Sequence, residues 1–119
     1  MLKYEKTLDR VFAALADPTR RAIVDRLCRG PVSMSALAEP LDMSLPAVFQ
    51  HLKILESSGL VRTAKSGRVR TCHVEPETLS RMAGWVLGRQ AAWQQLFDGV
   101  AERLTHEQRS RDQRGQARK

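Results

Sequence analysis

The strongest constraint on what this chain can fold into is the change of apolar period at Gly59. Before it, Leu45, Val48, Leu52 and Leu55 recur every three or four residues, which gathers them on one face of a helix. After it, residues 60–64 and 68–74 alternate about Lys65-Ser66-Gly67 as paired strands do. A helix over 45–58 is expected, capped by Ser44 and ended by Gly59 in the left-handed position, with a β-hairpin following at once.

Upstream, Leu8, Val11, Phe12 and Leu15 define a first helix over 8–16. Asp17 and Pro18 suit the N-cap and first turn of a second helix over 18–29, with Ala22, Ile23 and Leu27 facing inward and Gly30-Pro31 ending it. Residues 32–35 read as a short extended piece with capping hydroxyls, ahead of a brief third helix on Ala36, Leu37 and Leu41 that breaks at Asp42-Met43-Ser44. Downstream, Glu75-Pro76-Glu77 opens a last helix carried through at least Val100 by Leu79, Met82, Ala83, Val86, Trp93, Leu96, Phe97 and Val100. Apolar residues then nearly vanish. The expected organisation is one domain over 1–101 and a basic, flexible extension over 102–119, with no internal repeat.

At 119 residues and 42% hydrophobic content, the chain has material for one core rather than two. Its 20 Lys and Arg against 13 Asp and Glu give a net charge of +7, which draws it to polyanions. No stretch is long and apolar enough for an export signal or a membrane span, so a soluble cytoplasmic protein without a membrane partner is expected. Two cysteines, Cys28 and Cys72, are too few for a structural zinc site, and without export they do not suggest a disulfide scaffold. No nucleophile with its base, phosphate-binding glycine loop or paired carboxylates stand at a meaningful spacing, so neither enzyme chemistry nor a cofactor is expected.

The fold class that this order implies is mainly α with a small β-hairpin, a winged helix-turn-helix in which the third and fourth helices flank a tight turn and the hairpin is the wing. In such an arrangement the fourth helix enters the major groove of double-stranded DNA. Its outward candidates are Ser44, Pro46, Ala47, Gln50, His51 and Lys53, short or hydrogen-bonding residues that can approach base edges. Ser33 and Ser35 stand at the start of the third helix, and Arg62, Lys65, Arg68 and Arg70 of the hairpin can track phosphates. A basic hairpin is also what any solvated face looks like, so periodicity by itself leaves a winged-helix module that does not read DNA as an alternative.

The string Phe12-Ala-Ala-Leu-Ala-Asp-Pro-Thr-Arg-Arg-Ala-Ile-Val-Asp-Arg-Leu, followed by Ser44-Leu-Pro-Ala-Val-Phe-Gln-His-Leu-Lys-Ile-Leu-Glu-Ser-Ser-Gly-Leu-Val and Gly67-Arg68, closely resembles the ArsR/SmtB family of bacterial winged-helix repressors over about residues 8–100. The resemblance implies a homodimer paired through the first and last helices, with two recognition helices set against an inverted repeat. Leu2, Tyr4, Leu8, Phe12, Trp85, Trp93, Leu96, Phe97 and Val100 are the candidate interface residues; burial in the chain's own core is the competing reading for each. One departure is Phe49, where family members commonly carry Ser; it is expected to pack partly, over the junction of the third and fourth helices or against DNA.

Many members of that family are metal sensors, through cysteines of the third helix or Asp and His pairs of the last. Here the third helix has no cysteine, and Asp98, Glu102, His106 and Glu107 of the last read as solvated, so no metal is expected. A thiol switch on Cys28 and Cys72 is the remaining alternative for an inducing signal, against an inward-facing, inert Cys72. His73 reads as a strand surface residue. The small-molecule effector is left open.

Overall fold

A computed structural model describes residues 2–117, with side chains described over 6–115; those of Leu2 and Tyr4 lie outside this range. The first helix, α1 (Leu2–Ala14), starts earlier and ends sooner than its apolar spacing suggests. Lys3, Glu5 and Lys6 are good helix formers with no breaker among them, so the helix extends beyond its core-facing residues. It ends where the amide of Ala16 turns back to Ala13 O at 3.2 Å.

Helix α2 (Pro18–Leu27) starts as its sequence dictates: the Asp17 carboxylate accepts from the Arg20 amide at 3.0 Å, and proline occupies the first turn. That hydrogen bond is the main reason the Asp17 pKa lies below the usual aspartate value, with the charge of Arg20 helping. Stability from this cap is fully present above the unfolded aspartate pKa and is lost as pH falls through the depressed folded value. Urea titrations between about pH 5 and pH 2 should show an acid slope that Asp17→Asn reduces. The inner face of α2 is Ile23, Val24 and Leu27; Ala22, expected inside, is exposed. Cys28 caps the helix, which ends two residues before the expected Arg29.

The extended piece becomes a strand, β1 (Val32–Ser33), leading into α3 (Met34–Ala38) and a single 3-10 turn at Glu39–Leu41. Leu37 and Ala38 are buried, whereas Ala36 faces out and Leu41 is only half-buried within the 3-10 turn. Asp42 then takes φ of 51°, a left-handed conformation that a short polar side chain tolerates, and this turns the chain into α4 (Leu45–Ser57). Ser44 caps α4 on the Ala47 amide at 3.3 Å.

The end of α4 matches the glycine signal closely. Gly59, at φ of 84°, donates its amide to Glu56 O, and the Leu60 amide returns to Leu55 O at 3.1 Å, the two bonds of a Schellman motif. Thr78 Oγ1 donates to Gly59 O at 2.7 Å, fixing this corner to the start of the last helix.

Strands β2 (Val61–Ser66) and β3 (Val69–Val74) pair antiparallel from Val61↔Val74 to Ser66↔Val69, leaving Gly67 and Arg68 as a two-residue turn with positive φ at Gly67. Glycine first and an ordinary residue second is the type II′ pattern. The strands start slightly later than expected, and Leu60, just outside, is buried. The sheet also has a third strand: β1 pairs with β3 through Val32↔Cys72, giving the order β1-β3-β2.

Finally, α5 (Pro76–Ala117) continues well past Val100, through the segment expected to be a flexible tail. The chain divides into two compact units at Met82 and Ala83. The first has a core of Val11, Ile23, Leu27, Leu37, Val48, Leu52, Leu55, Leu60 and Cys72, against which Leu79 and Met82 of early α5 pack. The second, among the described residues, is the rest of α5. No helix among the described residues is long and apolar enough to cross a membrane.

Candidate nucleic-acid interface

With Val48, Leu52 and Leu55 buried, the helical period leaves the opposite face of α4 to solvent. Pro46, Gln50 and Lys53 lie there exposed, and Ala47 is half-buried at its edge. Leu45, expected in the buried stripe, is 44% exposed because it precedes the turn where the helix meets the core. Ile54, which the apolar stripe did not include, is 45% exposed.

His51 belongs elsewhere. One helical step from the buried stripe, it turns toward the start of α2, with Nδ1 3.5 Å from the Arg20 guanidinium and 3.8 Å from the Asp17 carboxylate. It therefore ties α4 to α2 and is not a freely presented DNA-face donor. Nothing in the local sequence signals this contact, since its partners lie some thirty residues away.

The serines divide in a similar way. Ser33 and Ser44 use their hydroxyl oxygens as N-caps, on Ala36 N at 3.1 Å and Ala47 N at 3.3 Å, which leaves each hydroxyl proton free to donate. Ser35 is exposed on α3. Ser33, Met34 and Ser35 face Arg68, Val69 and Arg70 across a shallow hollow of about 300 Å³, so the α3 end and the wing tip form one surface.

The wing cations are not equivalent. Lys65 and Arg68 are exposed near its tip. Arg62 instead donates Nε to Glu75 at 2.8 Å, a pair across the hairpin that no local pattern signals and that occupies it at the wing base. Arg70 is half-buried and donates to Thr63 Oγ1 at 3.1 Å, while Thr63 in turn donates to Glu56 of α4.

Phe49 completes that link. It is half-buried, as expected, but its ring lies under two cations, Lys53 at 5.5 Å and Arg70 at 5.7 Å from the centroid. The ring thus joins α4 to the wing through cation–π contacts with a positive charge from each.

The thiols do not make a matched pair. Cys72 is wholly buried between β1 and β2, and burial raises its pKa, with Glu56 adding to the rise and Arg70 opposing it. Only Cys28 is exposed.

This geometry has close counterparts. Residues 15–64 match a helix-turn-helix domain family. The HTH-type transcriptional regulator Rv2034 of Mycobacterium tuberculosis is 38% identical over 99 residues, covering 83% of this chain and 90% of the relative. The crystal structure of an ArsR family transcriptional regulator superposes with a TM-score of 0.71 at 48% identity, over 79% of this chain and 97% of that one. The chain belongs to the ArsR/SmtB family. It is a winged helix-turn-helix DNA-binding transcriptional regulator. A solution structure from Mycobacterium bovis, a homodimeric winged helix-turn-helix DNA-binding domain described as a possible ArsR-family regulator, is similar at 25% identity and a TM-score of 0.60, over 73% of this chain and 82% of its own.

Within ArsR/SmtB architecture, α3 and α4 are the helix-turn-helix and β2–β3 the wing. The α3 helix carries no cysteine, and among the described residues no group of three or more His, Cys, Asp or Glu side chains converges to hold a metal ion. The two cation–π contacts of Phe49 are worth about 0.5–1 kcal/mol each when exposed. Phe49→Leu, which keeps bulk but removes the π face, should therefore lower stability by about 1–2 kcal/mol and, by loosening Lys53 and Arg70, weaken DNA binding about twofold to fivefold. Paired anisotropy and urea titrations would measure this, and unchanged affinity would remove Phe49 from the interface.

Proposed function

We propose that the protein is a homodimeric repressor that acts in the cytoplasm by binding an inverted-repeat operator. Pro46, Gln50 and Lys53 enter the major groove, Ser33, Ser35 and Ser44 donate to the backbone beside it, and Lys65, Arg68 and Arg70 neutralise flanking phosphates. Ala47 supplies an apolar edge for a thymine methyl. Arg62 and His51 support this surface from behind. The observation that carries the reading is the join at Phe49, which brings Lys53 of α4 and Arg70 of the wing to one ring.

Pairing through α1 and α5 is supported by the apolar side chains that α5 leaves in solvent: Trp85, Trp93, Leu96, Phe97 and Val100, with Val86, Leu87 and Leu104 beside them. On α1, Phe12 is exposed and Leu8 half-buried. So many large apolar groups on one helix call for a covering partner. In this reading residues 1–101 serve DNA binding and dimerisation, 102–119 add unspecific attraction through their cations, and no catalytic step is involved.

Fluorescence anisotropy on operator and random duplexes in rising salt tests the assignment. Arg68→Ala should weaken both duplexes alike and reduce the salt slope by about one. Gln50→Ala should cost roughly 1–3 kcal/mol on the operator and little on random DNA. Equal losses on both duplexes would show that Gln50 does not read bases, and no binding even at low salt would end the repressor reading.

A further inference from the structure

A hollow of about 390 Å³ opens between α1, α2 and α4, beside the DNA-facing residues but on another side of α4 from the wing. Among the described residues three cations line it, Arg10, Arg20 and Lys53, and no carboxylate does. Ala13 and the exposed Ile54 line it as well.

Arg20 is already fixed in place. Its Nε donates to Ala14 O at 2.6 Å and a terminal nitrogen to Ala13 O at 3.3 Å, which ties the guanidinium to the end of α1. A guanidinium has five N–H groups, so donors remain after these bonds and after the approach to His51. A cation held rigid by backbone carbonyls needs little ordering when an anion arrives. The nearby Asp17 carboxylate is itself engaged by the Arg20 amide. At about 100° per residue, Arg10 and Ala13 lie on the side of α1 away from Leu8 and Phe12, so subunit pairing through the latter leaves the hollow open.

We propose that this hollow binds a small organic anion, with the anionic head on Arg10, Arg20 and Lys53 and the apolar body on Ile54 and Ala13. Gln50 and Lys53 line the hollow and also face DNA, so a bound anion withdraws them from the operator and acts as a releasing signal. The release step rests on the repressor reading; occupation of the hollow does not.

The test uses sodium octanoate and the full chain, followed by NMR without DNA. Saturable shifts are expected at the Gln50 side-chain amide, Arg20 Nε and the Ile54 methyls, with none from octylammonium and much weaker ones from inorganic phosphate. Arg10→Gln and Ile54→Ser, both at exposed positions, should each weaken octanoate binding about fivefold to tenfold. Shifts confined to the apolar residues of α5, or equal shifts from octylammonium or phosphate, overturn the site. In anisotropy, octanoate should lower operator affinity for the wild-type chain and need about tenfold more to do so for Arg10→Gln. Octanoate bound in the hollow with operator affinity unchanged overturns the release step. If the operator is not bound at all, the repressor reading fails, while the NMR arm still decides the hollow.

Discussion

Exchanging Trp93 and Phe97 together for aspartate should convert the protein to single subunits and lower operator affinity on the order of a thousandfold, the scale that separates specific from unspecific DNA binding. Both side chains are largely in solvent, at 66% and 60% exposure, so nothing in their own chain requires them to be apolar. Burying one large apolar side chain contributes about 1.5–3 kcal/mol, and a two-fold interface counts each residue twice. Two carboxylates per subunit at its centre would replace that gain with the cost of burying unpaired charge. Sedimentation velocity measures the subunit state and anisotropy the affinity; circular dichroism should keep its helical signal, because α5 loses no packing within its own chain. A variant that remains a dimer and binds normally would place the subunit contact elsewhere.

The second large effect lies in the first unit. Leu55→Ala should destabilise the fold by about 2–5 kcal/mol, a large part of the total stability of a small domain. Leu55 is fully buried, and its carbonyl accepts the Leu60 amide that closes the end of α4. The cavity would sit between the recognition helix and the base of the wing, so DNA affinity should fall together with stability. Leu45→Ala, four-residue periodicity notwithstanding, should cost no more than about 0.5 kcal/mol because its side chain is already half in solvent. Urea midpoints for the two variants give the comparison directly, and similar values would contradict the placement of the core.

These contrasts also show which features the sequence makes legible. Val48, Leu52 and Leu55 could be read because a three-to-four spacing is a local property of a helix, and Gly59 because the left-handed residue at a helix end has a strong local preference. The wing was legible for the same reason, since its turn needs glycine at position 67. Strand β1 was not: two residues carry no period, and Val32 becomes a strand only by pairing with Cys72, forty residues on. The length of α5 was not legible in its apolar spacing, because Gln, Glu and Arg sustain a helix without any core.

The interface was legible in its outline and not in its pairings. Helical spacing correctly set Gln50 and Lys53 outward, but His51 lies at the edge of the buried stripe, where only tertiary contacts with Asp17 and Arg20 decide its direction. Arg62 looked like a free cation because Glu75 lies thirteen residues away across the hairpin. Phe49 could be recognised as unusual, yet its position between Lys53 and Arg70 depends on how the wing folds against α4.

Selection of bound sequences from a random duplex pool, followed by sequencing, is the most direct test of the account. It should enrich two copies of one short motif in inverted orientation, with centres about one helical turn, 34–36 Å, apart. Recovery of no motif above background, or of an unpaired motif, would contradict it.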